Sequence, residues 1–458
     1  VAAKLSGMEG KMLFDIIRRS IIDFHNGKRK QIVKRNMTFR DIEGKASVFI
    51  GVRRCGKSTL LFQLIDDLVS KKVDMKNILY INFFDDRFTE LKTKGLSSVI
   101  EAYYSLYPEK KGVETVYFLF DEIQEIPEWE PFIDRILRTE KCRVFITGSS
   151  AKMLSKEIAT AMRGRSLSFE VFPFSFIEFL KFKEHENLVM TTKNRLILQN
   201  DFEEYFIKGG FPEVRNSVES DRIDIHQEYF RTIMWRDVIE RHNLSNPQTV
   251  IQLGYRLMTS CASLYSLNRL TEYLKSLGFK TSKEFVFTVL SAFEDCYFLF
   301  SVPIYDKSEI KRNVNPKKIY CVDHSMMSSI DPQINEKKGQ LLENLVFSTI
   351  RRSSSAIYYY KTASGKEVDF CWIDRSGKKN LVQVSFDLND EKTRKREVSA
   401  LFEAMGEINE KSATLVTMNE SGVLELENRT IQIVPAWEYL INFEYSEKSV
   451  FQINDLML

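Results

Sequence analysis

The sequence predicts an α/β chain led by a mostly parallel sheet, and three observations carry that expectation. Apolar strand-like runs (ASVFI, NILYINF, TVYFLF and RVFIT) alternate with helical patterns as far as Phe174. Repeated strand–helix units make a parallel sheet with helices on its faces. One run, Val116 to Phe120, is apolar throughout, as a strand buried on both faces requires. The first run passes through a loop with two glycines into an amphipathic helix, SVFIGVRRCGKSTLLFQL.

At 458 residues the chain is long enough for about three domains. Its composition, 43% hydrophobic and 28% charged with 34 Phe, supports ordinary packed cores. A formal net charge of +3 supplies no global field toward nucleic acid or an acidic membrane, so any such affinity must come from local patches. The six cysteines are far apart and form no CxxC pair, which argues against zinc ribbons and a disulfide framework and for a reducing cytoplasm. No apolar run is long enough to span a bilayer, and the opening residues lack the apolar core of a signal peptide, so no membrane partner is expected. A basic run, Lys28 to Arg35, precedes the first strand, and composition shifts place boundaries near 180, 246 and 332.

After the first strand, Gly51-Val52-Arg53-Arg54-Cys55-Gly56-Lys57-Ser58 satisfies GxxxxGK[ST], with Thr59 following in the helix. The glycines let the backbone curl so that successive N–H groups meet phosphate oxygens, and the helix adds the positive end of its dipole. Lys57 then reaches the β- and γ-phosphates, and Ser58 gives a hydroxyl to Mg²⁺. The loop is therefore expected to be a nucleotide-phosphate site. Arg53 and Arg54 belong to the loop without an assigned role: phosphate, a neighbouring subunit and water all remain open to them.

The strand Val116–Phe120 ends in Asp121-Glu122, where ligands bind in open α/β sheets. Asp121 fits the holder of hydrated Mg²⁺ and Glu122 the group that orients and deprotonates the attacking water. The next strand, Arg143 to Ile146, ends in Thr147-Gly148-Ser149-Ser150, whose hydroxyls suit a γ-phosphate sensor in the order Ser149, Thr147, Ser150. Met162-Arg163-Gly164-Arg165 supplies candidates for an arginine finger acting on a neighbouring subunit, Arg165 first and Arg163 as the alternative. A surface arginine pair explains that motif equally well.

The set GVRRCGKSTLL, LFDEIQEIPEW, RVFITGSSAKMLSKEIATAMRGR, FPFSFIEF, GGFPEVR and WRDVIER closely resembles a large group of prokaryotic AAA+-type ATPases. The resemblance covers nearly the whole chain in order. It implies residues 1–45 as an N-terminal helical and basic segment, 46–180 as the P-loop core and 181–246 as a helical lid. It further implies 247–332 as a winged helix and 333–458 as a C-terminal α/β domain of restriction-endonuclease-like fold. It implies ATP and Mg²⁺ as ligands and a tendency to assemble through the ATPase face. The expectation is a homo-oligomeric ring, a hexamer among the candidate sizes, whose ATP hydrolysis drives conformational change acting on DNA or a protein partner. The alternatives are a slow ATP-gated switch or scaffold and an ATP-regulated nuclease.

The winged-helix segment is legible directly. Helical patterns cover Gln248–Ala262 and Ser266–Leu277; Thr281 and Glu284 form a capping-box signature; Val286, Val289, Leu290 and Phe293 share one helix face. Tyr297–Pro303 and Lys317–Val322 are expected as wing strands joined by a basic loop holding Lys307, Lys311 and Arg312. DNA contact and interdomain packing suit this segment equally. In the last domain, the nuclease-like positions are Glu343, Asp369, Gln383 and Ser385. An amide and a serine stand where a Glu-x-Lys pair would hold Mg²⁺ and a cationic group. A degenerate site without cleavage is therefore expected, and nothing in the spacing compels Glu367 or Asp387 to substitute.

Overall fold

The computed structural model describes residues 2–29, 31–37, 39–148, 162, 164–186 and 191–455. The chain divides into two compact units, residues 1–172 and 173–458.

The first unit begins with α1 (Ala2–Asn26), followed by β1 (Ala46–Ile50) and α2 (Lys57–Ser70). Then come β2 (Ile78–Asn82), α3 (Ser97–Leu106), β3 (Val116–Asp121), α4 (Trp129–Thr139), β4 (Cys142–Gly148) and β5 (Ser166–Glu170). The sheet runs β2-β3-β4-β1-β5 with every neighbouring pair parallel. The four strands expected from the apolar runs are all present. β5 is the addition: its sequence, SLSFE, alternates polar and apolar because it is an edge strand covered only in part. β1, by contrast, is buried at all five residues, as a strand flanked on both sides must be. Because all five strands point one way, Ile50, Asp121 and Gly148 end at the same edge of the sheet. β4 separates β1 from β3, so its terminal side chains stand between the glycine loop and Asp121.

The second unit opens with helices. They are α5 (Phe176–Phe182), α6 (Thr192–Lys208), α7 (Glu219–Thr232), which widens to a π-helical turn over Ile233–Glu240, and α8 (Pro247–Met258). The GGFPE motif has a steric cause. A Cβ on Gly209 (φ +76°) would sit 2.1 Å from Ser325 Oγ, and one on Gly210 would sit 2.3 Å from the Phe174 carbonyl oxygen. Gly210 N–H donates to the buried Asp323 carboxylate at 2.7 Å, so backbone must approach that side chain closely.

Next come β6 (Leu264–Tyr265), α9 (Leu267–Ser276), α10 (Lys283–Asp295), β7 (Leu299–Val302), β8 (Lys317–Cys321) and α11 (His324–Ile330). The strands form an antiparallel sheet in the order β6-β8-β7. The two-residue β6 is too short to show as a run in the sequence. Val286, Val289, Leu290 and Phe293 of α10 are buried, as their spacing requires. The helix is capped by Ser282, which accepts from Phe285 N–H, one residue later than Thr281. The connection expected as a basic loop contains a short helix, Glu309–Val314.

The last part holds α12 (Lys338–Arg351), β9 (Ile357–Lys361), β10 (Glu367–Ile373), β11 (Lys379–Val384), α13 (Glu391–Ile408), β12 (Ser412–Thr417), β13 (Gly422–Leu426), β14 (Arg429–Pro435) and α14 (Ala436–Asp455). The mixed sheet has the order β13-β14-β12-β11-β10-β9. Val368, Leu381, Leu415 and Ile431 pack beneath Leu401 and Met405 of α13. Among the described residues, no helix is long and apolar enough to cross a membrane.

Candidate functional site

The glycine loop is shaped by contact as well as by curl. A Cβ on Gly51 would lie 2.0 Å from the Val171 carbonyl oxygen, so only glycine lets the loop pass the end of β5. Gly56 adopts φ 101°, ψ 25° immediately before α2, and Arg54 is left-handed at φ 64°. Cys55 and Val52 face inward, Arg53 and Thr59 are half-buried, and Arg54 is exposed. The Lys57 ammonium is buried and donates to the carbonyl oxygens of Gly51 and Val52, each at 3.0 Å. It therefore closes the loop on itself, and any phosphate that recruits it must compete with two carbonyls.

Asp121 is fully buried at the end of β3 and is enclosed by hydroxyls. Tyr80 of β2 donates to Oδ2 at 2.9 Å, Thr147 of β4 donates to Oδ1, and the nearby Ser58 hydroxyl of α2 helps to lower the pKa of the carboxylate. Burial raises its pKa from the ordinary carboxylate value, partly offset by the Thr147 hydrogen bond, while the neighbouring Glu122 charge raises it further. Glu122 sits in the left-handed region at φ 53° and its side chain accepts from Gln124. Its backbone N–H donates to Thr147 Oγ1 at 3.0 Å. Thr147 is thus the bridge between Asp121 and Glu122. Ser149, the first sensor candidate on the sequence alone, lies outside the described residues, as does Ser150.

The Ser58 hydroxyl, near enough to Asp121 to act on its charge, forms with it the hydroxyl–carboxylate pair that a hard cation with oxygen ligands selects, so the chemistry of the donor set fits Mg²⁺. Tyr80 carries no sequence signal for this place; its neighbourhood follows from strand order, which no local motif encodes.

Arg165 stands at the opposite edge of the sheet, its carbonyl accepting from Ala46 N–H at 2.8 Å where β1 begins. Its guanidinium pairs with Asp134 of α4 at 3.4 Å. A five-residue strand spans roughly 15 Å, so Arg165 cannot serve the phosphate loop of its own chain. Arg163 lies outside the described residues.

The basic run before β1 is not a free arm. Arg29 pairs with Asp66 at 2.6 Å and Lys34 with Asp67 at 3.2 Å, both on α2. Arg35 is buried and reaches the glycine loop, with Nη1 donating to the Cys55 carbonyl oxygen at 2.7 Å.

In the second unit, two of the nuclease-like positions, Glu343 and Asp369, come together around a group that no sequence motif singles out. Lys318 of β8, 3% exposed at its side chain, donates to Asp369 Oδ1 at 2.8 Å and Glu343 Oε1 at 3.0 Å, and pairs with Glu367 Oε1 at 2.9 Å. Tyr320 donates to Glu343 Oε1 at 2.7 Å. Burial opposes the lysine charge, but the facing Asp369 and Glu343 outweigh it and hold the ammonium charged well above its ordinary range. Glu343 is pushed up to about 7 by burial and by Asp369. Gln383 accepts from Asp369 N–H at 3.0 Å and donates to Glu397 at 2.6 Å, making it a backbone clamp within the sheet. Ser385 turns its hydroxyl to the Asp387 carbonyl at 2.7 Å and does not join the cluster. Of the two acidic substitutes, Glu367 belongs to the cluster, whereas Asp387 instead accepts from Asn389 N–H.

Comparison with known proteins matches three successive segments of the chain. Residues 43–180 match the AAA domain, 199–337 a domain of unknown function (DUF8612) and 338–439 another (DUF4143). The chain is 31% identical over 451 residues to an uncharacterized protein, MJ1544, of Methanocaldococcus jannaschii, covering 96% of this chain and 97% of that one. It is 28% identical to an uncharacterized protein of Haemophilus influenzae over 368 residues, 79% of this chain and 87% of the other. Among solved structures, the Walker-type ATPase PABY2304 of Pyrococcus abyssi aligns at a TM-score of 0.41 with 14% identity, over 62% of this chain and 90% of that one. The Orc1 protein of Aeropyrum pernix, solved in complex with DNA, aligns at 0.27 with 14% identity, over 71% of this chain and 94% of that one. With its glycine loop, Asp121 and Thr147 inside the matched segment, the chain belongs to the family of MJ1544 and carries an AAA-type P-loop ATPase domain.

Proposed function

We propose that the chain is a Mg²⁺-dependent ATP hydrolase of AAA+ type whose cycle drives conformational change acting on DNA or a protein partner. The observation that carries the reading is the enclosure of Asp121 by Ser58, Thr147 and Tyr80 beside Glu122. In this reading Ser58 and Asp121 would hold Mg²⁺, whose positive charge would offset that of the phosphate oxygens. Lys57 exchanges its two carbonyl partners for phosphate oxygens. Glu122 leaves Gln124 to take a proton from the attacking water, and Thr147 keeps both carboxylates in register.

The position of Arg165 supports a finger role only toward a neighbouring copy, hence a homo-oligomeric ring. The order α8, β6, α9, α10, β7, β8 supports a winged helix at 247–332, following a helical lid at 181–246 and preceding a restriction-endonuclease-like domain at 333–458. Lys318, filling the space between Glu343, Glu367 and Asp369, supports a C-terminal domain that binds rather than cuts.

A second reading, a slow ATP-gated switch, draws on the hydrogen bond between Gln124 and Glu122, which occupies the general base. Steady-state ATP hydrolysis with and without DNA separates the two. The hydrolase reading expects Glu122→Gln to bind ATP and lose turnover by roughly 100-fold or more. Wild type and Glu122→Gln that turn over equally slowly under every condition sink it and leave the switch.

A further inference from the structure

Arg35 closes the basic run before β1, and neither the glycine-loop motif nor the carboxylate chemistry gives it a part. The residue is only 6% exposed, unusual for so long a charged side chain. Nη1 donates to the Cys55 carbonyl oxygen at 2.7 Å and Nη2 to the Phe172 carbonyl oxygen at 2.6 Å. Its own backbone is fastened to α2 in both directions: Arg35 N–H donates to Gln63 Oε1 at 2.6 Å, and Gln63 Nε2 donates to the Arg35 carbonyl at 3.4 Å. The guanidinium is therefore a fixed fork whose two prongs hold two carbonyls from distant parts of the chain.

Both carbonyls matter to the loop. A trans peptide is planar, with its C=O and N–H pointing in opposite directions. Anchoring the Cys55 oxygen on the guanidinium side turns the Gly56 N–H away from it, the orientation a phosphate-binding backbone amide needs. Phe172 follows Val171, whose carbonyl is the atom that a Cβ on Gly51 would strike and whose N–H donates to the Ile50 carbonyl at 2.6 Å. Arg35 thus pins the far end of the loop, near Gly56, to the same two-residue segment against which its near end, Gly51, is fitted. Phe172 is also the last residue of the first unit.

We propose that Arg35 is a positioning residue for the phosphate loop: it sets the Cys55–Gly56 peptide for nucleotide triphosphate binding and couples the loop to the end of β5. The inference rests on the ATPase reading above. A lysine cannot replace it, because one ammonium on a flexible stem cannot hold two separated carbonyls in a fixed plane.

The test uses the full chain as wild type, Arg35→Ala, Arg35→Lys and the surface control Lys34→Ala, with Mg-ATP binding by titration, steady-state hydrolysis and melting curves. The expected result is an ATP Kd and KM at least 10-fold higher in both Arg35 variants, with kcat reduced less, and wild-type values in Lys34→Ala. Guanidinium ion at low millimolar concentration should recover part of the affinity of Arg35→Ala, where it can enter the vacated space, and none of that of Arg35→Lys. Arg35 variants that bind ATP as wild type does, or that only melt earlier without guanidinium rescue, overturn the inference while leaving the ATPase reading intact. A wild-type chain that binds no Mg-ATP overturns the ATPase reading and this inference with it.

Discussion

Replacing Lys318 by methionine tests the energetic logic of the second unit. The substitution keeps much of the aliphatic stem and removes the ammonium that faces Asp369, Glu367 and Glu343 at 2.8, 2.9 and 3.0 Å. Removing one partner of a buried ion pair costs about 3–5 kcal/mol, because the group left behind stays out of water with its charge uncompensated. Three carboxylates are left here, two of them nearly buried, so the loss should lie at the upper end of that range at pH 7.5. For a unit of this size each kcal/mol is worth about 2 °C, giving a fall in Tm of roughly 10 °C.

The pH dependence has a definite sign. Glu343 is raised to about 7 in the folded chain, above its unfolded value. The folded state therefore holds the extra proton between the unfolded value and about 7, and the group's contribution to stability falls as pH rises through that window. Without the ammonium that now opposes this rise, Glu343 of the variant takes up a proton more readily. The deficit of Lys318→Met should therefore be smaller at pH 5.5 than at pH 7.5. Melting curves of both proteins at the two pH values read this directly, and Glu343→Gln in the Lys318→Met background should restore part of the loss. A deficit below about 1 kcal/mol at pH 7.5, or one equal at both pH values, would show that Lys318 and its carboxylates do not form a net ionic clasp.

Two further outcomes are expected. Thr147→Val keeps the shape of the side chain and removes the hydroxyl that joins Asp121 to the Glu122 backbone. ATP turnover should fall by about 10–100-fold with little change in KM, as when other partners of a metal-holding carboxylate are lost, and a KM effect without a kcat effect would contradict it. His226, buried beside Ser329 and lowered to about 4 mainly by burial, binds fewer protons folded than unfolded between about 4 and its ordinary value of 6.5. Its contribution to stability is complete above 6.5 and lost as pH falls through that window, although Asp323 opposes the depression and Arg222 and His324 add to it. Denaturant titrations of wild type and His226→Gln from pH 7.5 to 4.5 should show the flatter profile in the variant; parallel profiles would remove His226 from the account.

Much of the first unit is written locally in the chain. A glycine loop between a buried strand and a helix announces itself because phosphate-binding backbone geometry needs specific residues at specific spacings, and Gly51, Gly56, Lys57 and Ser58 occupy them. Asp121 is legible for a related reason: a carboxylate directly after five apolar residues has few other uses at the end of a parallel strand. The amphipathic spacing of Val286, Val289, Leu290 and Phe293 marks a buried face before any fold is known. β5 and β6 escape notice, one because an edge strand is only half covered and the other because two residues make no pattern.

What tertiary structure alone decides is which distant side chains share a space. Strand order places Tyr80 and Thr147 around Asp121, 41 and 26 positions away in sequence. Folding puts Arg35 against Cys55 and Phe172, turning an apparent basic run into part of the loop's support. It also brings Lys318 into a carboxylate cluster, although Lys318 lies 51 positions from Asp369 along the chain. Periodicity and motif spacing report the geometry of neighbours along the backbone, because helices and strands repeat every few residues. Long-range pairings carry no such period, since the loop between two contacting residues can have any length at little free-energy cost.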